Sequence, residues 1–327
     1  MERLAPFTLH KAGTVAQAAS LLASTPGARI IAGGTDLLAN LRRGIGAPPA
    51  LIDVSAIADF GAVARDAQGW RICAGATLAA LAADAAIARE LPALAQAAAS
   101  VAGPGHRSVA TLGGNLCLDT RCVFYNQSEW WRQANDYCLK HGGATCHVAP
   151  QGKRCHAAFS GDAAPALIAL DATVEIAGSK GTRTLPLADL YADDGAASLR
   201  LAADELLVAV RIAPQPAGAR SGYRKARIRG AMDFPLAGVA ARTTFDRGRL
   251  SSLRLGLTGT NSRPLLLAGT DVLCGAPVDE TMLAALGKRI GKQVSPMRTT
   301  VTASNYRRQV AIVLAQRLLR DLAAEAG

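Results

Sequence analysis

Apolar positions in the first sixty residues switch between helical and extended spacing. Val15, Ala18, Ala19 and Leu22 share one helical face, with Thr14 placed to cap it and Pro26-Gly27 to end it. ARIIA (28–32) predicts a short buried strand, Gly33-Gly34-Thr35-Asp36 a turn, LLANLRRG a second helix and ALIDVSAI (50–57) a second strand. A second block opens at WRICAGAT (70–77). It continues through two alanine-rich helical segments to about Ala102, then PGHRSVATLGGNLC (104–117). APALIALDATVEIAG (164–178) predicts a helix leading into a strand, and ELLVAVRI a strand within 199–214. PQPAGARSG (214–222) has linker composition. Beyond it YRKARIRG, PLAGVAARTTF and LSSLRLGLTG alternate as strands, before two helices near 279–291 and 302–324.

The chain of 327 residues is long enough for two or three domains. No apolar run approaches the ~20 residues of a membrane span. MERLAPFTLHKAG lacks a basic start followed by an apolar block, so neither a signal peptide nor a twin-arginine signal is expected. The expected location is cytoplasmic, with no membrane partner; there thiols stay reduced and clustered cysteines bind metal more often than they pair. A formal net charge of +11 raises the question of nucleic acid. The arginines are scattered and only 4% of residues are aromatic, so nucleic acid is not expected. The positive charge suits an anionic cofactor, an acidic partner subunit or an acidic redox protein.

Two glycine loops carry the first chemistry. In IIAGGTDLL, Gly33-Gly34 lets backbone amides turn outward just before a helix, where they attract phosphate. VATLGGNL offers a second turn at Gly113-Gly114-Asn115, with Thr111 able to donate a hydroxyl. Both are expected to follow apolar strands, and together they suit a diphosphate gripped from two sides. Neither matches GxGxxG or GxxxxGK[ST], which disfavours an ordinary dinucleotide fold or P-loop.

The pair AGGTDLL and TLGGNL resembles the FAD-binding subunits of the molybdenum hydroxylases, the xanthine dehydrogenase and carbon monoxide dehydrogenase group. GDAAPALIALDATVEI (161–176), ELLVAVRIAP, YRKARIR and SNYRR follow in that family's order. The resemblance implies an α+β fold: a two-part FAD-binding domain of the vanillyl-alcohol-oxidase (PCMH) type with a cysteine-rich insert, then a smaller C-terminal α+β domain of antiparallel strands and helices. The implied ranges are 1–214, with subdomains 1–58 and 59–214 and an insert at about 120–157, and 215–327 for a C-terminal domain of the CO dehydrogenase flavoprotein type. By position, Arg29, Ile30, Ile31, Ala32, Gly33, Gly34, Thr35 and Asp36 would line the pyrophosphate and ribityl chain. Val101 would touch the flavin region, and Ala110, Thr111, Leu112, Gly113, Gly114 and Asn115 would hold the second side of the diphosphate. Asp162 would accept from ribose or ribityl hydroxyls. The Leu207 backbone and Lys225 would approach the isoalloxazine, where a lysine stabilises reduced anionic flavin; a solvated strand lysine is the alternative.

Residues 122–155 interrupt the alanine-rich chain with four of its seven cysteines and two of its three tryptophans. The spacing Cys122-x15-Cys138-x7-Cys146-x8-Cys155 supplies four thiolates for a [4Fe–4S] cluster or for tetrahedral zinc. The CxxC pairs usual in zinc ribbons are absent. RCxFYNQSEWWR…YCLK…CH…RC resembles the beta subunits of the 4-hydroxybenzoyl-CoA reductase family, which implies an extra [4Fe–4S] cluster beside FAD. Cys117 is expected to be a small buried residue, and Cys73 and Cys274 core or incidental thiols. Trp130 and Trp131 are expected to pack the insert. His141, His147 and His156 flank the cysteines without being ligands, His106 has a turn role, and Asp233 either lies near the flavin or caps a turn.

No catalytic constellation, molybdopterin site or [2Fe–2S] motif is legible, so the chain is expected to move electrons. The resemblance implies a large molybdopterin subunit and a small subunit with two [2Fe–2S] clusters, in a dimer of heterotrimers. Electrons would pass from ferredoxin through [4Fe–4S] and FAD to [2Fe–2S] and molybdenum, for dehydroxylation of 4-hydroxybenzoyl-CoA to benzoyl-CoA. The alternatives are the FAD subunit of an aldehyde or N-heterocycle hydroxylase with electrons flowing outward, and a zinc-stabilised interaction module without flavin.

Overall fold

The computed structural model describes residues 4–297 and 302–325. The outer ends of the expected ranges, 1–3 and 326–327, lie outside the described residues. Strands β1 (Thr8–Lys11), β2 (Arg29–Ile31) and β3 (Ala50–Asp53) form a parallel sheet in the order β1-β3-β2. Thr14 caps the helix Val15–Ser24 by accepting from the Gln17 amide at 3.1 Å, and Ala18, Ala19 and Leu22 are buried as their spacing predicts. Strand β1 was not legible: TLHK carries one apolar residue, Leu9, and it is exposed. Pairing with β3 makes it a strand, not burial.

Strands β4 (Val63–Asp66), β5 (Gly69–Cys73), β6 (Thr173–Gly178), β7 (Gly181–Pro186) and β8 (Leu206–Ile212) form an antiparallel sheet in the order β4-β5-β8-β6-β7. The alanine-rich stretch is three helices, Leu78–Ala83, Ala85–Glu90 and Pro92–Ser100, where two were expected. Asp84 ends the first and caps the second, accepting from the Ala86 and Ile87 amides; Pro92 opens the third. A polar cap and a proline partition a run that composition alone leaves continuous.

Strands β9 (Arg220–Ala226), β10 (Ala237–Asp246), β11 (Arg249–Thr258) and β12 (Leu265–Leu266) form the third sheet, antiparallel in the order β12-β11-β10-β9. The helices Glu280–Gln293 and Ser304–Ala324 pack with it around a second core running from Ala237 to Leu322. The first core runs from Ala12 to Ile212. Between them lies the helix Ala163–Ala169, buried at every position. It packs on β10 and β11 and on the helix Pro92–Ser100 through a seam of Ala93, Ala97, Ala166, Ala169 and Ala240. A Cβ on Gly256 would lie 2.3 Å from the Pro165 carbonyl oxygen, so this approach requires glycine. No described helix is long and apolar enough to cross a membrane.

Candidate functional site

The first glycine loop leaves β2 and turns at Gly34, whose φ of +65° suits glycine. Among the described residues the amides of Gly33, Gly34, Thr35 and Asp36 donate to no protein acceptor; the next helical bond runs from Leu38 N to the Gly34 carbonyl at 3.1 Å. Successive free amides in such a turn form a nest for anionic oxygens. Gly33 also abuts the second loop. A Cβ there would lie 2.0 Å from the Val109 carbonyl oxygen, so the two loops touch only because the residue is glycine.

The second loop is built differently. It follows the short helix Pro104–Arg107 rather than an apolar strand, and LGGNL is itself a helical turn, Leu112–Leu116. Its amides are engaged: Leu112 N donates to Ala76 O and Gly113 N to Ala74 O, both at 2.8 Å. Gly114 N donates to Thr111 Oγ1 at 3.1 Å. The Thr111 oxygen is thus an acceptor within the protein, and its hydroxyl proton stays available to a ligand. Asn115 Oδ1 accepts from Ala163 N at 2.9 Å, tying this loop to the buried helix. Ala74 N in turn donates to Val208 O at 2.7 Å, which places Leu207 and β8 directly behind Gly113. Val101 ends the helix Pro92–Ser100, its carbonyl held by Arg107 Nη1 at 2.8 Å.

Asp162 and Lys225 are brought together. Lys225 Nζ lies 2.9 Å from Asp162 Oδ2, and each side chain is 4% exposed. Tyr223 donates its hydroxyl to Asp162 Oδ1 at 2.5 Å, and Lys225 also donates to the Ser100 carbonyl at 3.3 Å. Burial raises the Asp162 carboxyl above the ordinary range although Lys225 and Tyr223 pull it down. Lys225 is therefore not a solvated strand lysine.

Arg121, which sequence reasoning passed over, pairs with Asp36 and donates to Asn40 Oδ1 at 2.9 Å. Its guanidinium lies 4.7 Å above the Phe234 ring, and burial lowers its pKa to about 10. It neutralises the carboxylate at the end of the nest, where an unpaired anion would oppose a phosphate. The only sequence signal was its position, immediately before Cys122.

Cys122, Cys138, Cys146 and Cys155 line one small cavity with Phe124, Tyr125, Lys140 and His147. All seven cysteines are free thiols. Cys138 follows two residues with positive φ, Asp136 (52°) and Tyr137 (58°), and Gly143 is wrapped against them, its absent Cβ 2.7 Å from Asp136 O. Such strain persists where the surroundings enforce it. Ala157 N donates to Cys155 Sγ at 3.4 Å. Burial pushes the Cys155 thiol up to about 11 and raises that of Cys122. Among the described residues no three His, Cys, Asp or Glu side chains are grouped as a site for one metal ion. Cys117 lies apart, its thiol pushed up to about 12 by burial. His147 Nε2 contacts the Tyr137 carbonyl at 2.6 Å, Trp131 faces Phe124 with centroids 6.2 Å apart, and Trp130 is 74% exposed. Asp233 accepts from the Ile228 and Arg229 amides, as a turn cap does.

Residues 5–216 match the model of the FAD binding domain in molybdopterin dehydrogenase, and residues 221–322 that of the CO dehydrogenase flavoprotein C-terminal domain. The chain belongs to the FAD-binding medium subunits of the xanthine dehydrogenase and CO dehydrogenase family of molybdenum hydroxylases. It is 30% identical over 321 residues to a putative xanthine dehydrogenase FAD-binding subunit of Escherichia coli strain K12, covering 97% of this chain and 96% of the relative. It is 35% identical over 274 residues to an aldehyde oxidoreductase FAD-binding subunit of the same strain, covering 81% and 85%. Its fold superimposes on a chain of the reconstituted CO dehydrogenase from Oligotropha carboxidovorans with a TM-score of 0.81 at 23% identity, over 98% of this chain and 99% of that one. The expected fold class, a two-domain α+β FAD-binding architecture, is borne out.

Proposed function

We propose that this family member is an electron-transfer subunit holding FAD at the paired glycine loops and a [4Fe–4S] cluster at Cys122, Cys138, Cys146 and Cys155. The observation that carries the flavin half is the run of amides from Gly33 to Asp36, free among the described residues and closed against Val109, with the Asp36 carboxylate neutralised by Arg121. FAD bound there supplies a centre that exchanges one or two electrons. Arg29 to Asp36 and Ala110 to Asn115 would hold its diphosphate, and Val101, Leu207, Asp162 and Lys225 its flavin side. The cluster half rests on four cysteines facing one cavity, with the Ala157 amide already donating to the Cys155 sulfur. Four sulfurs spread around a space suit a cube better than a single zinc ion, whose four ligands must converge on one point.

Domain boundaries near 58 and 214 agree with the break between the β1-β3-β2 sheet and β4, and with the start of β9 at Arg220. By its family, the chain would join a molybdopterin subunit and a small subunit with [2Fe–2S] clusters in a heterotrimer, two of which would pair in the cytoplasm. For the reaction served, the wording around the cysteines supports 4-hydroxybenzoyl-CoA reduction with ferredoxin as donor. The aldehyde reading, with electrons leaving through this chain, is favoured by the 35% identity to an aldehyde oxidoreductase subunit.

The purified complex decides. Flavin and iron–sulfur absorption in oxygen-free material, with dehydroxylation of 4-hydroxybenzoyl-CoA by a low-potential donor, supports the first. Turnover of an aldehyde without that reaction supports the second. A colourless preparation containing zinc overturns both.

A further inference from the structure

We propose that Lys140, fixed by Asp119 and Thr120, sets the reduction potential of the iron–sulfur cluster; this rests on the reading that the four cysteines hold one. Lys140 lines the same cavity as the four cysteines, and its side chain is 6% exposed. The ammonium donates to Asp119 Oδ1 at 2.7 Å, to the Thr120 carbonyl at 3.1 Å and to Thr120 Oγ1. It also lies 4.8 Å above the Tyr125 ring centroid. All three protons of the ammonium have an oxygen partner, so a full charge is locked at one place instead of swinging into solvent.

Adding an electron to a thiolate-bound cluster adds negative charge in a poorly solvated space, and a fixed cation beside it favours the reduced form. The counter-charge is less effective. Asp119 is 29% exposed, so water screens it more than it screens the ammonium. Two other cations of the insert face elsewhere. Arg132 is bound to Glu129 and to the Gln127 and Gly44 carbonyls, and Arg154 to Asp193 and Ser262. Neither lines the cavity; His147 does, with Nε2 turned to the Tyr137 carbonyl.

The test is a dye-mediated titration of the complex, following the EPR signal of the reduced cluster, with iron and acid-labile sulfide measured alongside. Lys140→Met should disfavour reduction about tenfold at fixed solution potential, a fall of about 59 mV for a one-electron couple. Asp119→Asn, which removes the counter-charge, should move the midpoint the other way, and Lys140→Arg should leave it near wild type. Fully loaded variants whose midpoints are unmoved, or move in the same direction for K140M and D119N, overturn the proposal. Wild-type complex without iron overturns the cluster reading itself, a distinct result.

Discussion

Arg121 and Asp36 form an ion pair that joins the nucleotide loop to the cysteine insert, with Asn40 and Phe234 completing the guanidinium's surroundings. The arginine is 12% exposed and the aspartate 30%, so the pair lies between surface pairs and buried ones. Arg121→Met should lower stability by about 2 kcal/mol. It should also reduce bound FAD, because an uncompensated carboxylate then sits beside the diphosphate. Asp36→Asn in the same background should restore part of the flavin content, read from visible absorption of the desalted protein.

Asp162 and Lys225 are both nearly inaccessible, so removing either strands the other. Lys225→Met and Asp162→Ala should each cost about 3–5 kcal/mol. The double variant Asp162→Ala/Lys225→Met should cost less than the sum of its singles, which denaturant unfolding of the four proteins measures as a coupling energy.

Serine substitution should separate the cysteines into two groups. Cys122→Ser, Cys138→Ser, Cys146→Ser and Cys155→Ser should each deplete iron and sulfide while FAD remains. Cys117→Ser should leave iron unchanged, since that thiol lies outside the cavity and burial holds it protonated. Metal analysis beside flavin absorbance separates the outcomes.

Glu175 accepts from Arg71 at 2.7 Å and pairs with Arg211, and these arginines hold its carboxyl below the ordinary range. A carboxyl lowered in the folded state contributes stability above its unfolded pKa of about 4.3 and loses it as pH falls through the folded value. Wild type should therefore exceed Glu175→Gln in thermal midpoint at pH 7, and the gap should close as pH falls below about 4. Thermal scans of both proteins across that range measure it.

Periodic apolar positions made most of the scaffold legible: the capped helix at Val15, the strands of the last hundred residues and the buried helix after Asp162 all follow from spacing. Edge strands β1, β4 and β7 escaped because they lie largely outside the cores and carry little apolar pattern. At the site, the glycines announced outward-turned amides at both loops, but not that those of the second loop would be engaged within the protein. That depends on Ala74 and Ala76, nearly forty residues before the second loop, claiming its donors. Arg121, Tyr223 and Lys140 act through partners distant in sequence, and no local pattern marks such residues.

The fully enclosed helix at 163–169 has a consequence for how the chain matures. It belongs to the segment before the linker, yet part of its cover comes from β10 and β11, made later. Residues 220–222 of the expected linker belong to β9, and cutting the polypeptide between 214 and 219 would leave each half with an open seam and Asp162 without Tyr223 or Lys225. The two portions must therefore close on each other before this helix and Asp162 are covered.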